Sequence, residues 1–169
     1  LTTKFLDLHE PGHARKDVAK YPGYYLGSII MSQKGSEPFI VDGQQRLTSL
    51  TLLLTFLRRL QIDRADKVDV DALIYSEKFG EKSFNLLVED RQAIMTALFN
   101  GDLPDTSDAS ESVQTIVDRY QDLDDLLQAA GQEIDDDALP YFCDWLTEKV
   151  HIIEITAASD DDAYTIFET

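Results

Sequence analysis

Cysteine is almost missing from this sequence, with a single one, Cys143, among 169 residues. That scarcity excludes a disulfide framework and a cysteine-ligated structural zinc site. Long apolar runs are missing as well. No stretch approaches the ~18 uninterrupted apolar residues that mark a membrane-spanning helix, so no membrane partner is expected. Positive charge is sparse: 15 Lys and Arg stand against 32 Asp and Glu, for a formal charge of −17. The chain opens at Leu1 with neither Met nor a basic-then-apolar leader, and Phe167-Glu168-Thr169 ends it without a helix-stopping signal. It is therefore expected to be cytoplasmic and a fragment of a longer chain. Apolar residues make up 43% of the sequence and are spread along its length, which argues against global disorder.

The charge is unevenly distributed. Residues 1–60 carry +3, residues 61–99 carry −3, residues 100–140 carry −11 and residues 141–169 carry −6. A duplex-gripping surface needs a basic face that displaces counterions from phosphates. Only the first third has any such excess, so contact with DNA is expected to be indirect.

Periodicity places the elements. Residues 4–9 read as the tail of an element broken at Pro11-Gly12. The aromatic and β-branched run over 24–31 predicts a buried strand, and 38–41 a second strand antiparallel to it. From Gln44 the pattern turns helical: Leu47, Leu50, Leu54 and Leu57 form a stripe that Leu53, Phe56 and Leu60 widen. A helix apolar around most of its circumference is a central, buried one. Residues 68–75 and 83–88 read as two further strands flanking a turn at Phe79-Gly80-Glu81. A helix over 89–100 ends at Gly101. Asp108 with Glu111 resembles a capping box for a long helix reaching Gly131. Another helix carries Leu139, Phe142, Trp145 and Leu146, a strand comes next over 150–155, and Ser159 caps a last helix. The expected class is α+β: a small mixed or antiparallel sheet around a central buried helix, followed by a mainly helical portion.

One segment has the makings of a chemical site. Asp42-Gly43-Gln44-Gln45-Arg46 lies between a strand and a helix, where a plain turn needs only two or three residues. Gly43 permits positive φ or close approach of a ligand. A helix start presents unpaired N–H groups and a partial positive charge suited to phosphate. Arg46 in that first turn opposes the macrodipole by about 0.3–1 kcal/mol. Such a cost is offset if an anion sits there and the guanidinium chelates it. Asp42 has the chemistry to hold a metal ion, orient Arg46 or position a water, and Thr48, one turn beyond Gln44, carries a hydroxyl. On residues alone a second reading stays open, in which Asp-Gly is an ordinary turn and Arg46 bridges to Asp42. A P-loop is excluded, since no Gly-Lys-Ser/Thr occurs.

Tyr24-Tyr25-Leu26-Gly27-Ser28-Ile29, followed by Phe39-Ile40-Val41 and the unbroken Asp-Gly-Gln-Gln-Arg motif at Asp42–Arg46, closely resembles the GmrS-like N-terminal domain of GmrSD-type, modification-dependent restriction systems. These domains belong to a ParB/sulfiredoxin-like superfamily. Phe84-Asn85-Leu86 with Asp90-Arg91, and the stretch from Asp162 to Thr169, resemble later parts of the family more weakly. The family's upstream Gln-Arg-x-Tyr-x-Trp-like segment and its Asn-Arg-Gly continuation are not among these residues.

The resemblance implies a ParB-like core over 1–100 that binds and hydrolyses a nucleoside triphosphate, and a helical extension over 101–169 with a returning strand packed on it. Asp42 and Arg46 would be catalytic, with Asp42 the ligand of Mg2+. Gly43, Gln44, Gln45, Arg46 and Thr48 would bind the nucleotide. DNA cleavage would belong to a C-terminal nuclease domain of the same or a partner chain. The alternative is a non-catalytic ParB-like module that senses nucleotide or DNA and switches without turnover.

Other residues read as structural. His9 and His13 sit four apart, but Pro11-Gly12 breaks any helix between them, leaving a surface loop. Cys143, among aromatic neighbours, reads as a small buried hydrophobe. The acidic runs at 135–137 and 160–162 lack the alternation of a calcium loop and suit helix N-termini. Of Tyr24 and Tyr25, strand alternation buries one and turns the other away.

Overall fold

The computed structural model describes residues 1–34, 37–86, 91–128, 134–157, 159, 162 and 166. Strand β1 (Tyr24–Lys34) lies at the centre of a three-stranded mixed sheet of order β2-β1-β5. Its antiparallel neighbour β2 (Glu37–Asp42) pairs Met31 with Ile40 and Ile30 with Asp42, with an irregularity between Ile30 and Met31. On the other edge, β5 (Val150–Ala157) runs parallel to β1, pairing Tyr24 with Val150 and Ser32 with Ala157. The β1–β5 register shifts between Tyr25 and Gly27, where Gly27 takes φ +132°. A bulge of this kind bends a strand and re-aims the residues beyond it.

From the end of β2 the chain passes through Gly43 into α2 (Gln44–Leu60), the helix that periodicity outlined. Leu52, Phe56 and Leu57 are almost wholly buried along it. The helix also buries Thr48, Thr51 and Thr55, whose hydroxyls donate to the carbonyls of Gln44, Leu47 and Thr51 at 2.9, 2.9 and 2.8 Å. Each hydroxyl is thereby satisfied within the helix, so burial leaves no polar group stranded. Around α2 pack α4 (Gln92–Asn100) and α5 (Glu111–Gln128). The short α1 (Thr2–Leu6), a 3-10 helix over Arg15–Lys20 and α6 (Leu139–Lys149) complete the layer. One apolar cluster joins Phe5, Leu52, Phe56, Leu98, Ile116 and Trp145 across these elements. Burying a side chain such as Phe56 contributes roughly 1.5–3 kcal/mol. Tyr24 packs on Trp145, while Tyr25 is 58% exposed.

The region after α2 differs from its pattern. Residues 68–74 do not form a strand. Asp69 accepts the Asp71 N–H at 3.0 Å, a turn that starts the single-turn helix α3 (Asp71–Ile74) and buries Ile74. Strand β3 (Tyr75–Lys78) then pairs antiparallel with β4 (Glu81–Phe84) around the expected turn at Phe79-Gly80. The local Asx turn overrides the β propensity of the valines before it. Helix α5 begins at Glu111, so Asp108 is not its cap. Instead Gln114 draws the preceding loop in, donating to the carbonyls of Thr106, Ser107 and Ala109. Gly101 ends α4 in the left-handed region, φ +88°, as expected. Ser159 Oγ accepts the Asp162 N–H at 3.2 Å in the manner of a cap. The rest of that helix, the end at Gly131 and the residues before Arg91 lie outside the described residues.

Candidate functional site

The Asp-Gly-Gln-Gln-Arg motif spans the corner from β2 to α2. Asp42 ends the strand, half-buried. Gly43 comes next with φ +95° and accepts the first intrahelical bond, from Leu47 N–H at 3.0 Å. No side chain caps α2, and no acid lies in its first turn. Its leading N–H groups and the positive end of its dipole are left without the usual local compensation. The corner fits closely against β1: a Cβ on Gly43 would stand 2.6 Å from Ile29 Cγ2.

Arg46 turns back over β1. Its Nη1 donates to the Ser28 carbonyl, and its guanidinium lies against Gly27, where a Cβ would meet Nε and Nη2 at 3.0 Å each. Among the described residues neither Arg46 nor Asp42 forms an ion pair. The purely structural Asp42–Arg46 bridge is therefore not made. Both charges stay half-buried at one helix mouth with their charge-assisted bonding capacity largely unused.

The remaining motif residues fan out because successive helical positions differ by about 100°. Gln44 is exposed and donates back to the Ile40 carbonyl at 3.1 Å, closing the corner. Gln45 and Thr48 face away from Gly27, into a separate cleft towards α4 and α5. Thr48 is buried, and its proton is engaged by Gln44, so it presents an oxygen acceptor rather than a donor. The structure thus gathers Asp42, Gly43, Gln44 and Arg46 at the helix mouth and sets Gln45 and Thr48 on another face.

Across residues 5–169 the chain matches the family described as GmrSD restriction endonuclease, N-terminal domain. The chain belongs to this family. As a GmrSD N-terminal domain it is a component of a restriction system. A comparison with curated proteins finds no match.

Two features of this GmrSD N-terminal domain escape a linear reading. Gly27 is the platform for the Arg46 guanidinium; the only hint is an isolated glycine inside a strand pattern, which marks a bulge or close approach. The second is the expected surface loop, whose His9 and His13 are half-buried. Both imidazoles reach one hydroxyl: Tyr21 Oη lies 3.2 Å from His9 Nδ1 and 2.7 Å from His13 Nδ1. Burial, then repulsion from His13, lowers the His9 pKa against a smaller opposing pull from Asp135. The Cys143 thiol, fully buried, is pushed up to about 12 by desolvation, which suits a packing residue and not a nucleophile. Among the described residues no helix is long and apolar enough to cross a membrane.

Proposed function

We propose that this domain binds and hydrolyses a nucleoside triphosphate as the regulatory module of modification-dependent DNA restriction, with cleavage performed by a separate C-terminal nuclease domain. The observation that supports it is an arginine without an acidic partner among the described residues, held over β1 at the uncapped mouth of a buried 17-residue helix. Leaving Arg46 unpaired beside a positive dipole raises local potential, and a phosphate relieves it.

In this reading Arg46 clamps phosphate oxygens and the leading N–H groups of α2 receive the remaining charge. Gly43 lets the corner pack against Ile29, where any Cβ would collide, and so sets the backbone that presents those N–H groups. Gln44 makes a polar contact, Asp42 orients the attacking water or holds a metal, and Gln45 and Thr48, which face the other cleft, take no part in this arrangement. The donor set at Asp42 fits Mg2+, which takes one or two protein carboxylates and fills its other positions with phosphate oxygens and water. Among the described residues no His, Cys, Asp or Glu group forms an all-protein cage, and Mg2+ does not require one. When bound, Mg2+ supplies neutralisation of the charge on the transferring phosphoryl group. The protein's own share is positioning and fixed electrostatics.

Phosphate release by the full-length protein, with Arg46→Ala as the control, tests the proposal. Turnover that disappears in the variant supports an enzyme. Saturable binding without release supports the switching module instead.

A further inference from the structure

A cleft of about 280 Å3 opens between α2, α4 and α5, on the far side of the motif from Gly27. We propose that it is a second oxyanion site, which takes a compact phosphate-bearing group through Arg91 and Arg119. Its walls carry Gln45 and Ser49 from α2, Arg91 from the start of α4, and Ser112, Thr115 and Arg119 from α5. The proposal stands independently of hydrolysis at Asp42 and Arg46.

Three features set the ligand's charge. Two guanidiniums face one small cleft in a strongly acidic chain, and among the described residues neither pairs with a carboxylate. Arg91 is oriented by a bond from Nε to Ser112 Oγ at 2.9 Å, and among the described residues its two Nη groups have no partner. Among the described residues the one acid in the lining is Glu111, eight residues before Arg119 on the same helix, about 12 Å along its axis, and it pairs with neither arginine. Helix α4 opens at Arg91 with no side-chain cap and no acid in its first turn, adding to the positive potential. Hydroxyls at Ser49 and Ser112 supply neutral donors of the kind phosphate oxygens accept, while the Thr115 proton is already given to the Glu111 carbonyl at 2.8 Å.

The size sets the rest. Pockets that enclose drug-sized ligands hold roughly 300–1,000 Å3. This cleft therefore suits a phosphate or pyrophosphate group, either free or as the end of a larger molecule, and not an enclosed nucleoside.

Calorimetric titration of the full chain with inorganic pyrophosphate, at about 100 mM salt to limit diffuse attraction, tests the site. The titration is run in the Arg46→Ala background, which removes the phosphate clamp of the motif. Saturable binding is expected there, weakened at least ~10-fold by adding Arg119→Ala or Arg91→Ala and changed by less than ~2-fold by adding Lys16→Ala, an exposed cation outside both sites. Arg119 is exposed on α5, so its variant keeps the fold, which thermal melting verifies. No saturable binding in that background, or binding indifferent to both Arg91 and Arg119, would overturn the proposal. In the same background, a nucleoside triphosphate binding ~10-fold or more tightly than pyrophosphate in an Arg119-dependent way assigns the anion to a nucleotide tail, and equal affinity assigns it to a free phosphate compound. Because that background already lacks Arg46, failure of this site and failure of the hydrolytic reading are read separately.

Discussion

The guanidinium of Arg46 fills the space that a side chain on Gly27 would take: a Cβ there would stand 2.8 Å from Cζ. Gly27 combines this contact with φ +132° in a bulged stretch of β1, so two constraints meet at one position. Alanine at 27 is expected to expel the guanidinium and strain the backbone, costing about 1–3 kcal/mol. Nucleotide affinity should fall along with the melting temperature, by differential scanning calorimetry and equilibrium binding. An unchanged affinity would remove Arg46 from the phosphate-binding role.

Arg46→Ala separates the site from the scaffold. The residue is half-buried and bonds one backbone carbonyl, so its loss should change stability by about 1 kcal/mol or less. Turnover should fall about 10²-fold or more, the scale seen when one transition-state donor is removed. Arg46→Lys should restore little, because a point-charge ammonium lacks the guanidinium fork. Steady-state phosphate release on all three proteins decides it.

Gly43→Ala is expected to be mainly a folding defect. The added methyl would lie 2.6 Å from Ile29 Cγ2 in a left-handed conformation, φ +95°. Denaturant titration should show a loss of about 1–3 kcal/mol from backbone strain and overpacking.

Gln61 gives a test away from the site. It is 1% exposed, donates to the Leu57 carbonyl at 3.2 Å and accepts the Val68 N–H at 2.8 Å, tying the end of α2 to the next segment. Gln61→Leu keeps the volume but leaves the Val68 N–H unpaired, an expected cost of about 1–3 kcal/mol in thermal or chemical unfolding.

His9 makes stability depend on pH. Its folded pKa lies below the ordinary 6.5, chiefly through burial. Between the two values the unfolded chain binds more protons than the folded one, so stability falls as pH drops through 6.5 towards the folded pKa, and is fully present above 6.5. Melting temperature measured from pH 7.5 to 5 should decline less steeply in His9→Phe, which keeps the ring stacked on Phe5 but cannot be protonated. Equal slopes would remove His9 as the source.

Local sequence determined the elements whose pattern is self-contained. The leucine stripe marks Gln44–Leu60 as a buried helix, the aromatic and β-branched run marks β1, and strand-glycine-helix order puts Asp42 and Arg46 at a helix mouth. Periodicity is a property of neighbouring residues, so these features need no distant contact. Where local signals compete, as the Asp69 turn does with the valines at 68 and 70, the pattern points to the wrong element. Tertiary structure alone decided that β5 lies parallel beside β1, and that Gly27 supports a guanidinium nineteen positions later. It alone brought Arg91 and Arg119 to the same cleft as Gln45. These relations are made when segments far apart in the chain pack into one core, and no window along the sequence contains both partners.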